Sequence, residues 1–90
     1  MTKADLVAEI AQRTGIEKTA TVVVVDEFKN VIKEHMAAGE NIYLRGFGTF
    51  EVIERKEKTG QNIKKGETII IPAHKIPKFK PAKEFKDAIK

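Results

Sequence analysis

The chain contains no cysteine, only two histidines and no long apolar run. Without cysteine, no disulfide and no thiolate metal site can staple a small fold. His35 and His74 are the only imidazoles, and no paired-carboxylate motif, GxGxxG spacing or Walker spacing accompanies them. The chain is therefore expected to be no enzyme, with no catalytic residue, no metal and no cofactor. No stretch approaches the ~20 apolar residues of a membrane span. The opening residues MTKADLVAEI lack a signal-type apolar segment. These absences predict a protein of the reducing cytoplasm with no membrane partner.

What is present is 90 residues, enough for one domain, with 41% hydrophobic residues. A domain of this size buries a modest fraction of its surface, so a partner that completes its core is expected. Charge is divided unevenly. Residues 1–54 hold six Lys or Arg against nine Asp or Glu, a net −3, and residues 55–90 hold eleven against four, a net +7. A basic half on a mildly acidic one points to a polyanion bound by one face. A merely solvated lysine-rich surface is equally compatible with the charge alone.

Helical periodicity fills the acidic half. Thr2 is a candidate N-cap with Asp5 three residues on, in a capping-box relation. Leu6, Val7, Ile10 and Ala11 follow at helical spacing and Gly15 suits the C-terminal cap, which predicts a helix over 3–13. The next segment, ATVVVVDEFKNVIKEHMAAG, has the valine run of a strand but the period of a helix. At ~100° per residue, Ala20, Val24, Val25, Phe28, Val31, Ile32 and Met36 share one side, and Asp26, Glu27, Lys29, Asn30, Lys33 and Glu34 the other. Only Val22 and Val23 break the pattern, so a helix is predicted over about 18–38, closed by Gly39. Its apolar stripe spans roughly 160°, wider than the ~100° a single core needs. The surplus predicts a second copy of the chain in a symmetric dimer. His35 lies in that stripe, where a satisfied histidine at the seam is expected rather than a catalytic or metal-binding one.

After Gly39 the residues favour strands: Ile42 and Leu44, then Phe50 and Val52, joined by a tight RGFG turn. Phe47 and Phe50 are expected to point into a core. Residues 50–59 and 67–76 are two further strand candidates, with Pro72 and Pro77 confined to edges or bulges. KPAKEFKDAIK closes the chain as a short helix, with Pro81 near its first turn and Phe85 and Ile89 on its inner face. At ~3.3 Å per residue, ten-residue strands reach about 33 Å, more than a 90-residue body needs. Their distal part carries Arg55, Lys56, Lys58, Lys64 and Lys65. This predicts a projecting basic ribbon with Ile63 at its tip. Such a ribbon suits a nucleic-acid groove: cations neutralise phosphates, and an apolar tip residue can wedge between base pairs.

These segments resemble the bacterial HU and integration host factor family of DNA-bending proteins, closest to HU. The resemblance covers the whole chain and rests on MTKADLVAEIAQRTG, LRGFGTFEV, RKEKTGQNIKKGETIIIPA and IPKFKPAKEFKDAI. It implies an α+β fold: a helix-turn-helix-like helical base, a three-stranded antiparallel sheet with a long two-stranded β-arm, and a short C-terminal helix. It implies one domain over 1–90, with 1–40 the helical dimerisation part, 41–81 the sheet with its arm at about 53–75, and 82–90 the last helix. It further implies an intertwined homodimer, associated with the nucleoid, that bends and compacts double-stranded DNA with little sequence preference and favours bent, nicked or kinked sites.

The family's arm motif is similar to Arg-Asn-Pro, whose positions here are Gln61, Asn62 and Ile63. Asn62 matches, Gln61 has lost a charge, and Ile63 replaces the wedge proline. Arg55 matches an arm arginine, and Lys58 stands where arginine is usual. Lys56, Lys64 and Lys65 complete the arm set. Lys3, Lys75, Lys80, Lys83 and Lys86 match or neighbour basic body positions under the bent DNA. Ala82 replaces a usual glycine. The implied dimer core comprises Val25, Phe28, Ile32, Leu44, Phe47, Phe50 and Phe79, the three phenylalanines packing together across the two-fold. Two other readings compete: a sequence-specific regulator using the first two helices, whose acidic polar face would repel phosphates, and a scaffold whose basic face meets an acidic protein.

Overall fold

A computed structural model of the chain describes residues 1–62 and 66–90. They form two compact units, Met1–Glu34 and His35–Lys90. The element order is α1 (Lys3–Thr14), α2 (Lys18–Ala37), β1 (Ile42–Leu44), β2 (Gly48–Arg55), β3 (Lys58–Asn62), β4 (Glu67–Ile71), β5 (His74–Pro81) and α3 (Lys83–Ile89).

Helix α1 starts where the capping box predicts. Thr2 N–H donates to Asp5 Oδ2 at 2.9 Å, and Asp5 N–H donates to Thr2 Oγ1 at 3.3 Å, satisfying donors that the first turn leaves free. It runs one residue past the predicted end. Gly15 then adopts φ 75° and its N–H donates to Ala11 O at 2.9 Å. The Thr14 hydroxyl donates to Ile10 O at 2.8 Å and accepts Ile16 N–H at 3.2 Å. That single side chain ties the helix end to the connection, which is why three residues suffice to reach α2.

Helix α2 ends at Ala37, one residue before the predicted end. Its apolar stripe divides in two. Thr21 is buried and Val25 and Ile32 are half-buried, whereas Val24 is 63% exposed, Phe28 51% exposed and Val31 also exposed. Thr21 carries a polar atom inside without penalty because its hydroxyl donates to Glu17 O at 2.9 Å. Among the described residues, Val7 is the only buried hydrophobic one.

The β-half holds two antiparallel sheets. Strands β1, β2 and β5 form a sheet in that order, and β3 pairs with β4. The strands predicted as continuous over 50–59 and 67–76 are each interrupted. The β2–β5 ladder runs from Gly48 opposite Pro81 to Arg55 opposite His74, and the β3–β4 ladder starts with Lys58 opposite Ile71. Lys56–Glu57 and Pro72–Ala73 lie between, two residues on each side, so pairing stops without a slip in register. Pro72 has no N–H to give to a ladder, which accounts for the gap. Pro77 is tolerated inside β5 because β5 is an edge strand.

One face of the sheet is backed by phenylalanines. Phe50 and Phe79 face each other across the ladder with ring centroids 4.9 Å apart, Phe47 lies 5.3 Å from Phe79, and Phe85 of α3 lies 5.2 Å from Phe47. Phe47, Phe50 and Phe79 thus pack together within one chain. Gly48 is required here: a Cβ would fall 2.6 Å from the Phe79 ring and 2.6 Å from Lys80 O. The RGFG turn closes by Phe47 N–H donating to Leu44 O at 3.0 Å, with Gly46 at φ 78°. Asn41 extends the β1 edge by accepting Val52 N–H on its side-chain oxygen at 3.0 Å. Helix α3 begins at Lys83, so Pro81 ends β5 instead of opening the helix, and Ala82 caps it without a side-chain bond. Ile89, expected on the inner face, is 72% exposed in the chain.

Candidate nucleic-acid interface

Strand alternation sorts the predicted contacts by face. Phe50, Val52 and Glu54 of β2 share the backed face with Phe79, Pro77 and Lys75 of β5. The opposite, open face carries Thr49, Glu51, Ile53 and Arg55 of β2 with Lys80, Lys78, Ile76 and His74 of β5, and Tyr43 of β1 opposite Thr49. The register therefore brings Arg55 and Lys80 together on one face and puts Lys75 on the other. Lys78 was not among the predicted contacts. It follows from the period-two spacing of Ile76, Lys78 and Lys80, once β5 is known to be a strand throughout.

The open face is electrostatically unbalanced. Glu51 is its one carboxylate among the described residues, directly opposite Lys78, against Arg55, Lys78 and Lys80. Among the described residues, none of Arg55, Lys75, Lys78, Lys80, Lys83 and Lys86 has an ion-pair partner within 4 Å. Three cations of the helical unit are held differently. Arg13 pairs with Glu9 at 2.6 Å, and Asp26 holds Lys3 at 3.1 Å and Lys29 at 3.6 Å. The Lys3 ammonium, with a smaller contribution from Lys29, holds the Asp26 carboxyl below its ordinary value. Lys3, a predicted contact, thus has a carboxylate competitor on its own unit. A depression of about 340 Å³ beside the RGFG turn is lined by Arg45, Thr49 and Lys80 among others. Arg45 was also missed, because its place in a turn motif hid that it lines the same depression as Lys80.

On the arm, Lys58 opens β3 and Gln61 and Asn62 close it. Ile63, Lys64 and Lys65 lie outside the described residues. A Cβ on Gly60 would touch Ile69 at 3.6 Å and Ile71 at 3.7 Å, so two isoleucines of β4 close over this glycine. Ile70, on the other face with Thr59, is 66% exposed. The arm is therefore more apolar than its lysines suggested. Lys56 sits in the unpaired connection, and Lys83 and Lys86 are exposed on α3. His35 Nδ1 lies 2.8 Å from a Glu40 carboxylate oxygen. Among the described residues no group of three potential ligands is placed to hold a metal, and no helix is long and apolar enough to cross a membrane.

Residues 1–90 match the family model described as bacterial DNA-binding protein. The chain belongs to this family. It is 47% identical over 88 residues to the DNA-binding protein HU of Streptococcus thermophilus, covering 98% of this chain and 97% of the relative. It is 46% identical over 90 residues to HU of Thermus thermophilus, covering 100% of this chain and 93% of the relative. Among solved structures, Anabaena HU in a cocrystal with DNA superposes with a TM-score of 0.94 at 34% identity, over 99% of this chain and 97% of that one. HU from Thermotoga maritima matches with a TM-score of 0.71 at 28% identity over the whole of both chains. The α+β architecture implied by the resemblance, with three helices, a three-stranded sheet and a two-stranded arm, is the architecture found.

Proposed function

We propose that this chain is an architectural protein that binds double-stranded DNA through phosphate contacts and minor-groove arms, with little sequence preference, and bends and compacts it. The observation that carries this reading is the open sheet face, where Arg55, Lys78 and Lys80 share one side without, among the described residues, a carboxylate partner within 4 Å. Family membership supports it, as do the DNA-binding relatives. Affinity drawn from phosphates alone is independent of sequence and falls steeply with salt. No catalytic step is part of this role, and its place is the nucleoid in the cytoplasm.

The binding form is a homodimer in this reading. Its support is the stripe of Val24, Phe28 and Val31 left exposed on α2 in a chain with one buried hydrophobic residue among those described. Contiguous apolar surface of that kind is unstable in water and is covered by a partner. Val25, Ile32, Leu44, Phe47, Phe50 and Phe79 would complete that core. From its position in sequence, Ile63 is assigned the wedge that kinks the duplex. Lys3, Lys56, Lys58, Gln61, Asn62, Lys64, Lys65, Lys75, Lys83 and Lys86 are assigned supporting contacts.

The test is binding to straight and to nicked duplex across a salt series, with protein whose oligomeric state has been measured. The expected result is tighter binding to the nicked duplex and a steep loss with salt. Equal affinity for both duplexes would remove the bending role, and no binding at low salt would leave the protein-scaffold reading. Ile63→Ala should reduce the bend, read by energy transfer between labelled duplex ends, more than it reduces affinity.

A further inference from the structure

The last pair of the β2–β5 ladder sets Arg55 directly opposite His74, on the open face that carries Lys78 and Lys80. Opposed residues of an antiparallel ladder have Cβ atoms roughly 4.5–5.5 Å apart, close enough for both side chains to reach one anion. The imidazole is oriented by the connection that precedes its strand. His74 Nδ1 lies 2.9 Å from Pro72 O. A carbonyl oxygen only accepts, so Nδ1 must carry the proton and donate. The neutral ring then presents a bare lone pair at Nε2, which repels a phosphate oxygen. The protonated ring presents a second N–H there, which donates to it with charge assistance.

Among the described residues no ion pair neutralises that charge. Strand β5 pairs, among the described residues, with β2 alone. From β2, the open face offers Arg55 opposite His74 and Glu51 further along, opposite Lys78, while Glu54 and Lys75 lie on the backed face. On β5 itself the next cation of the open face is Lys78. Lys56 and Glu57 occupy the adjoining connection. Among the described residues no carboxylate lies within 4 Å of His74. Two like charges opposed on a ladder are unfavourable alone and favourable around an anion.

We propose that Arg55 and His74 form a phosphate seat at the base of the arm that becomes complete when His74 is protonated, so that DNA affinity rises as pH falls through the histidine range. Histidine is the side chain that ordinarily changes charge between pH 5 and 8. The inference rests on the DNA-binding reading above. By linkage, a phosphate in the seat moves the titration of the ring to higher pH.

The test measures binding to a labelled nicked duplex at pH 5.5 and 7.5 at constant ionic strength. The unaltered protein should bind more tightly at pH 5.5, by up to about fivefold per seat, the strength of an exposed ion pair. His74→Gln should bind equally at both values, His35→Gln should keep the pH dependence, and His74→Lys should bind at pH 7.5 as the unaltered protein does at 5.5. In NMR spectra the His74 ring should titrate at higher pH in the complex than in the free protein. Binding that is strong but independent of pH, a dependence that survives His74→Gln, or a ring titration unmoved by DNA would each overturn the seat and leave the DNA-binding reading standing. No binding at either pH in low salt would overturn both.

Discussion

The β2–β5 and β3–β4 ladders share one register but differ in what lies behind them. The first is eight pairs long and backed by Phe47, Phe50, Phe79 and Phe85. The second is five pairs long, its apolar side being Gly60 under Ile69 and Ile71, with Ile70 exposed on the other. Backbone pairing alone leaves a two-stranded ribbon marginal in water, and a packed face is what makes it durable. The backed ladder can therefore hold a fixed row of cations, while the arm has only its own Gly60, Ile69 and Ile71 to pack.

That contrast can be broken or sharpened by experiment. The largest effect is expected at the backing itself: Phe79→Ala should cost about 3 kcal/mol or more in urea unfolding, a large share of what so small a domain possesses. A loss under 1 kcal/mol would mean that the aromatic cluster does not hold the sheet. Next come two matched glycine substitutions. Gly48→Ala drives a methyl into the Phe79 ring and the Lys80 carbonyl, and should cost about 1–3 kcal/mol. Gly60→Ala meets Ile69 and Ile71 at ordinary contact distance and should change stability by no more than about 0.5 kcal/mol. If the two cost the same, the ladders are not differently packed.

A smaller effect tests the open face. Lys78→Gln should leave the unfolding midpoint unchanged and weaken DNA binding on every sequence alike. It should also flatten the slope of log affinity against log salt by about 0.9 for each phosphate no longer neutralised. The smallest lies outside both ladders. Thr2 holds Asp5 below its ordinary value, first through its backbone N–H and then through its hydroxyl. A lowered folded-state value stabilises fully above the unfolded value of about 3.8 and loses that contribution as pH falls toward the folded one. Asp5→Asn should therefore lower the Tm slightly at pH 6, with the difference closing as the pH falls through the lowered folded-state value. A difference that persists there would assign the effect to something other than charge.

Much of this was legible in the residues. Thr2, Asp5 and Gly15 bracket α1 because capping is a local hydrogen-bonding problem solved within four residues. The valine run of α2 resolved into a helix because its period outweighs β-propensity over 20 residues. The RGFG turn and the arm were readable from glycine and charge. The break at Lys56–Glu57 was not, since Pro72 acts on a strand 15 residues or more away in sequence. Nor was the grouping of Arg55 with Lys78 and Lys80, or the exclusion of Lys75 from it.

The order of residues alone was enough for the helices, the turns, the basic half and, through its motifs, the family. Those features depend on neighbours along the chain or on composition, which are written in order. The fold settled which cations share a face and that His74 stands opposite Arg55. It also decided that Phe79 leaves room for no side chain at Gly48. Each of these depends on the register between strands distant in sequence, where a shift of one residue would turn every side chain to the other face.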